Sequence, residues 1–266
     1  MDSLFKALLT AGTVLLVMAA ARLGGRRFAG VVAALPTITA PTLAWLADDE
    51  GTAFAISAAV GSVAACGMLA VFALVYARAA RYSGGAVALA CGLLGALAIA
   101  LPAEAASANL TCALALALAS SAVAFAAMPS SHADVIVSRK GSLRLMFLVA
   151  AISGGVTAFA ASIGPSVGGF ATGLLSSLPL VTGPVAMVEH ATHGHRAAAH
   201  FLRGYVGGLF GKAAFGTVFA LTAARLGVVV ALSLAGACAC LLSTLRLREL
   251  PARAASLPVR PLRLPE

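Results

Sequence analysis

Nine apolar stretches, at about 4–22, 28–47, 53–77, 84–101, 105–127, 145–163, 167–188, 199–223 and 226–245, alternate along the chain with short polar or charged clusters. Each is close to the roughly 20 residues an α-helix needs to cross the hydrocarbon core. In lipid a spanning segment must satisfy its own backbone, which helices do. The pattern predicts an all-α, polytopic membrane helix bundle of about nine transmembrane helices. The clusters alternate in sign: Arg22, Arg26 and Arg27, then Asp48, Asp49 and Glu50, then Arg78 and Arg81, then Glu104, then Arg139, Lys140 and Arg144. Basic loops face the cytoplasm, so the amino terminus is expected outside and the carboxyl terminus, rich in arginine, inside. Lys6 and Arg225 are exceptions to the alternation.

Composition removes the soluble alternatives. Hydrophobic residues make up 61% of the 266 and charged residues 10%, with a mean hydropathy of +1.01, against roughly 45–50% apolar and about 25% charged in soluble domains. Nearly the whole chain is consumed by spans, leaving no room for a nucleotide-binding domain, and neither Gly-x-Gly-x-x-Gly nor a Walker signature is present. No cofactor is implied. The net charge of +9 is spread over loop ends and the tail, where topology and anionic headgroups account for it, so nucleic acid is not an expected partner. The expected partners are the bilayer and a small-molecule or ion substrate, and a homodimer is compatible with both. The first span has small residues at Ala19–Ala21 but no net charge before it and arginines after it, the arrangement of an anchor and not of a cleaved signal. Cys66, Cys91, Cys112, Cys238 and Cys240 all fall in apolar stretches and form no Cys-x-x-Cys pair, which reads as core packing.

One segment recurs at an offset of 143 residues. Leu35-Pro36-Thr37-Ile38-Thr39-Ala40-Pro41 returns as Leu178-Pro179-Leu180-Val181-Thr182-Gly183-Pro184, and Gly25, Gly30, Gly51, Gly61 and Val75 return as Gly168, Gly173, Gly194, Gly204 and Val218. An odd number of spans separates the copies, so the second is expected upside down: two inverted repeats with broken helices. The organisation expected is repeat one over 1–104, a connecting helix and cytoplasmic loop over 105–144, repeat two over 145–245, and a disordered basic cytoplasmic tail over 246–266. Each proline removes an amide donor and displaces a carbonyl in the preceding turn, and such irregular backbone is tolerated in a membrane only where protein or a water-filled cavity covers it. Paired discontinuous helices are where secondary transporters build their sites. Pro36, Thr37, Thr39, Pro41, Pro179, Thr182 and Pro184, with the hydroxyls of Ser176 and Ser177 beside them, are therefore the candidate substrate-binding segment. The alternative is a pair of merely kinked helices in a packed bundle.

Lys212 joins them, because it lies near the middle of 199–223, where an ammonium costs at least about 2.5 kcal/mol on the insertion scale. His200, Gly204, Gly207, Gly208 and Gly211 fall in one helical stripe beside it, suited to close helix contact. The ammonium is expected to meet an anionic substrate, Glu189 or freed carbonyls; a snorkelling lysine is the bland alternative. Glu189 and His200 are the candidate proton-coupling residues, with His190 and Lys212 behind them. The cluster Glu189-His190-Ala191-Thr192-His193-Gly194-His195-Arg196 could ligate a divalent metal through His190, His193 and Glu189 or His195, or be a solvated loop turned by Gly194. No metal site is assigned.

In size, short Ala/Gly/Leu-rich helices and inverted halves the chain resembles, in architecture only, small bacterial secondary transporters of the drug/metabolite type, which usually have ten helices. The Leu-Pro-x-x-x-x-Pro repeat resembles that of poorly characterised bacterial inner-membrane proteins. No functional residue is carried over from either likeness. The expected function is a non-enzymatic one: an inner-membrane secondary transporter or exporter of a small, anionic solute. A divalent metal transporter, a membrane-embedded enzyme using Glu189, His190 and His193, and an assembly subunit are the alternatives. The topology predicts that a carboxyl-terminal reporter fusion is active in the cytoplasm. Activity confined to the periplasm would remove both the span count and the inversion.

Overall fold

The computed structural model describes residues 28–105, 109–128, 164–179 and 182–248, with isolated positions before residue 28. The spans expected at 4–22 and 145–163, the basic segment around Arg139 to Arg144 and the tail beyond Arg248 therefore lie wholly or almost wholly outside the described residues. Within them every regular element is helical. In chain order these are α1 (28–34), α2 (Thr39–Asp49), α3 (Thr52–Ala79), α4 (Gly85–Ala105), α5 (Leu110–Ala127), a 3-10 turn (Gly164–Val167), α6 (Gly169–Ser176), α7 (Thr182–His193), α8 (His195–Leu226) and α9 (Val228–Arg248). Five spans, Phe28–Asp49 with its internal break, α3, α5, α8 and Val228–Leu245 of α9, are long and apolar enough to cross a membrane. The chain is an all-α bundle of the membrane type.

Helix α3 has 28 residues and α8 has 32, about 42 and 48 Å at 1.5 Å per residue, and these two form the centre. Phe72, Tyr76, Phe201, Phe215 and Phe219 are fully buried along them. Helices α4, α5 and α9 wrap the outside, exposing Leu93, Leu94 and Leu97, then Leu118 and Val123, then Val229, Leu234 and Leu241, as lipid-facing surfaces should. Small residues let the backbones close in. A Cβ on Gly216 of α8 would lie 3.2 Å from the carbonyl oxygen of Ala59 on α3, and Lys212 lies within electrostatic reach of Cys66. Moving up α3 from Ala59 to Cys66 thus means moving down α8 from Gly216 to Lys212, so the two central helices run antiparallel.

The elements recur as the sequence does. Thr39, Thr52, Gly85 and their counterparts Thr182, His195 and Val228 begin successive helices, each pair 143 residues apart in the numbering. Gly51 and Gly194 hold φ of 90° and 85° before α3 and α8, a left-handed geometry that glycine adopts without a Cβ penalty. Contacts across the bundle match too. A Cβ on Gly30 would sit 2.1 Å from the carbonyl oxygen of Phe201, and one on Gly173 would sit 1.9 Å from that of Ala58. So α1 presses on α8, and α6 presses on α3 at the corresponding turn. The stripe expected to serve one close contact on α8 in fact serves several: Gly204 and Gly208 meet α1, Gly207 meets Phe125 of α5, and Gly211 meets Ala239 and Ser243 of α9.

Because those backbones leave no room, Gly30→Ala and Gly173→Ala are each expected to destabilise the detergent-solubilised protein by about 1–3 kcal/mol or more. Gly236, whose Cβ would meet nothing within 4 Å, is expected to accept alanine with no loss and a gain of up to about 1 kcal/mol. Thermal unfolding of the three variants side by side checks the pattern.

Candidate functional site

The two proline motifs interrupt helices at the same register. Helix α1 ends at Ala34, residues 35–38 are bends and turns, and helix resumes at Thr39; α6 ends at Ser176 and α7 resumes at Thr182. Leu180 and Val181 of the second motif lie outside the described residues, but the hydrogen bonds that flank the two breaks match. Leu35 N–H donates to Val32 O at 3.2 Å and Leu178 N–H to Leu175 O at 3.1 Å, each an i→i−3 closure. After the break Ala40 N–H donates to Pro36 O and Gly183 N–H to Pro179 O, both at 2.8 Å. Pro41 and Pro184 then deny a helical donor to the carbonyl four residues before each. One residue on, Ile38 O accepts from both Thr42 N–H, at 3.1 Å, and Thr42 Oγ1, at 2.8 Å, so the helix resumes its ordinary bonding directly after Pro41. Proline chemistry fixes where the chain breaks, and the neighbouring helix covers what is exposed.

Both breaks lie at the middle height of the central helices. A Cβ on Gly208 would approach Ala34 Cβ to 2.6 Å, and Gly208 is within a few residues of the midpoint of α8. Ser177 at the second break meets α3 through its hydroxyl, which donates to Ser62 Oγ at 3.2 Å. Ser177 and Pro179 are buried, as are Thr39 and Thr182, while Pro36, Thr37, Pro41 and Pro184 are partly covered. The Tyr205 side chain is hydrogen-bonded to that of Thr182, and Cys66 Sγ donates to Ser62 O at 3.5 Å. Ser62, Cys66, Ser177, Thr182 and Tyr205 thus gather around the second break.

Lys212 is 8% exposed and lies at the centre of α8, facing Cys66 at the centre of α3. Helix α1 runs parallel to α8, since Gly30 meets Phe201 to Tyr205 and Ala34 meets Gly208. One further turn along both, about 5.4 Å, brings Lys212 level with the first break. Among the described residues no carboxylate lies within ion-pair distance of it. Glu189, 9% exposed, pairs instead with His193 Nδ1 at 3.2 Å within α7. It sits in the corner where α7 turns through Gly194 into α8. His200 is buried in the second turn of α8, twelve residues from Lys212 or about 18 Å along the axis. The two candidate proton-coupling residues therefore occupy one end of the central pair, and Lys212 its middle.

The segment Glu189–His193 is helical and not a loop; the turn falls at Gly194, as its sequence suggested. The histidines diverge. His193 bonds Glu189 and Thr192 Oγ1, the latter at 2.7 Å, while His190 turns inward to Tyr76, ring centroids 6.3 Å apart and near edge-on. Burial, with the neighbouring His195 adding to it, holds the His190 imidazole below its ordinary range. Among the described residues no group of three His, Cys, Asp or Glu comes together as a metal site.

Sequence reasoning passed over Ser62, Tyr76, Tyr205 and Arg203. Only three tyrosines occur in the chain, and a phenol inside an Ala/Val/Leu run seeks a polar partner; that signal pointed to two of them. Arg203 lies in the expected span, and its guanidinium caps α5, donating to Phe125 O at 2.8 Å and to Met128 O and stacking 4.3 Å over the Phe125 ring. It answers the carbonyl end of that helix, as cations do. Compared with protein-family models, curated proteins and solved structures, the chain shows no match in any of the three.

A buried ammonium with no carboxylate partner among the described residues costs stability, so Lys212→Met, which keeps the stem and removes the charge, is expected to give equal or higher expression and a higher unfolding temperature. A marked fall in either would mean that Lys212 holds the bundle together.

Proposed function

We propose that the chain is a secondary transporter of a small anionic solute, built from two inverted repeats, α1–α4 and α6–α9, with α5 as the odd helix between them. The observation that carries this reading is the pair of proline breaks. Each is flanked by the same two hydrogen bonds, lies at mid-height of the bundle and packs on the central helix of the other half, and Lys212 stands level with one of them. The antiparallel course of α3 and α8 supports inversion, because equivalent helices related by a two-fold axis in the membrane plane must run in opposite directions. Freed backbone groups and hydroxyls beside the breaks offer polar ligands without fixed charge, and Lys212 offers the one cation at that depth among the described residues. An anion entering the site relieves the desolvated ammonium, so the same charge that destabilises the empty protein favours binding. Alternation then exposes this site to one side and the other as the halves rock. The bacterial inner membrane, with the amino terminus outside, is the location this reading assigns.

The competing readings have less behind them. A metal carrier based on the histidine segment lacks a converging ligand set in the described residues, and an enzyme using Glu189 and His193 as acid and base would find them paired to each other. The test is solute flux in proteoliposomes across organic anions, divalent metals and amphipathic cations, comparing wild type with a Pro36→Ala, Pro179→Ala double variant. Continuous helical bonding at both breaks is expected to leave a folded protein with at least about tenfold lower anion flux, equivalent to about 1.4 kcal/mol in the transport barrier. Undiminished flux in the double variant, or flux of metals alone, would overturn the reading.

A further inference from the structure

At the end of the bundle where α3 finishes, α4 begins and α7 approaches its last turn, two polar atoms face the same small space. Tyr76 is 0% exposed, and neither its hydroxyl nor the buried Nδ1 of His190 has a hydrogen-bond partner among the described residues. Both point at Gly85. A Cβ built on that glycine would stand 3.6 Å from Tyr76 Oη and 3.6 Å from His190 Nδ1, with His190 Cβ at 3.8 Å the next atom. The place where a side chain of α4 would begin is thus bounded by the two unsatisfied atoms. A buried hydroxyl and ring nitrogen left unpaired are costly, and a molecule that can donate and accept to both removes that cost.

We propose that Tyr76 and His190 hold a single water molecule over Gly85, and that this Tyr76–water–His190 bridge joins α3 to α7 beneath the second broken helix. A buried water needs two to four polar partners, and these supply the first two. The bridge is a site distinct from Lys212 and from the Glu189–His193 pair. Among the described residues, α3 contributes Tyr76, α4 contributes glycine, α8 contributes His195, whose charge acts on His190, and α7 itself carries Glu189 and His193, bonded to each other. If the chain is a transporter, the bridge places His190, in addition to Glu189 and His200, among the groups through which a proton could be coupled. The site does not depend on that reading.

Gly85→Ala separates a filled site from a dry one. The methyl group meets no atom closer than 3.6 Å, so in a dry site it fills space and the unfolding temperature stays or rises. With a water present, the methyl displaces it and leaves both polar atoms unpaired; the unfolding temperature is expected to fall by several degrees, and the His190 titration, followed by NMR of ring-labelled histidine and assigned by its loss in His190→Gln, to move at least one pH unit lower. Tyr76→Phe provides the second arm. In a dry site it deletes an unsatisfied hydroxyl and stabilises, whereas with a bridge it destabilises and lowers the His190 titration in the same direction. Stabilisation by both substitutions with an unmoved titration would overturn the proposal. None of these readouts uses transport, so failure here leaves the transporter reading untouched, and failure of that reading leaves the bridge standing.

Discussion

The constraint on which the structure turns is that a helix interrupted within a bilayer must have its loosened backbone covered by something other than lipid. Each proline break therefore needs a long partner helix alongside, and that partner must carry residues small enough to be approached. Helices α3 and α8 are those partners. Their lengths exceed the hydrocarbon thickness, they sit at the centre, and their contacts with α6 and α1 run through Gly61, Gly173, Gly30 and Gly208 at distances no larger residue could meet. The cover is reciprocal, each broken helix lying against the central helix that follows the other break. From that arrangement come the antiparallel central pair, the outward displacement of α4, α5 and α9, and the concentration of hydroxyls at mid-height.

Against this matched framework the chemistry is lopsided. Leu69, the residue 143 positions before Lys212, is buried and apolar, and so is Leu209, the counterpart of Cys66. The Ser62–Ser177 hydrogen bond has in the same places of the other half Tyr205 and Ala34. Matched helix breaks with unmatched side chains suit the proposed site, which needs one positive charge between the two halves for a single bound anion. Arg203 sits outside this logic. Its work is to close the carbonyl end of α5.

What the sequence disclosed follows from which signals are local. Apolar runs located α3, α5, α8 and α9 to within a few residues, because a membrane span is specified by length and hydropathy alone. The Leu-Pro motif located both breaks for a similarly local reason: proline removes its own donor wherever it sits. The depth of Lys212 could be read by counting from helix ends. Partners could not. That Glu189 bonds His193 while His190 turns toward Tyr76 depends on how α7 is rotated against α3 and α8, and the acidic and basic letters of that segment look the same in a loop. The glycine stripe of α8 was visible, but not that its members answer to α1, α5 and α9 separately. Tyr76 and Tyr205 went unread although a phenol inside an apolar run is a local signal, and what they face, the His190 ring and Thr182 at the second break, required the packing.

The central claim is that the two breaks border a water-accessible path at mid-membrane, and aqueous thiol labelling tests it most directly. In a background with the five native cysteines replaced, Thr37→Cys and Thr182→Cys would be exposed to a membrane-impermeant thiol reagent in sealed vesicles of both orientations, with Leu69→Cys, buried at the same depth without a break, as the reference. The account predicts that both threonine positions are modified from an aqueous face while Leu69→Cys reacts only after denaturation. Equal protection of all three positions from both sides, with full reaction after denaturation, would contradict it.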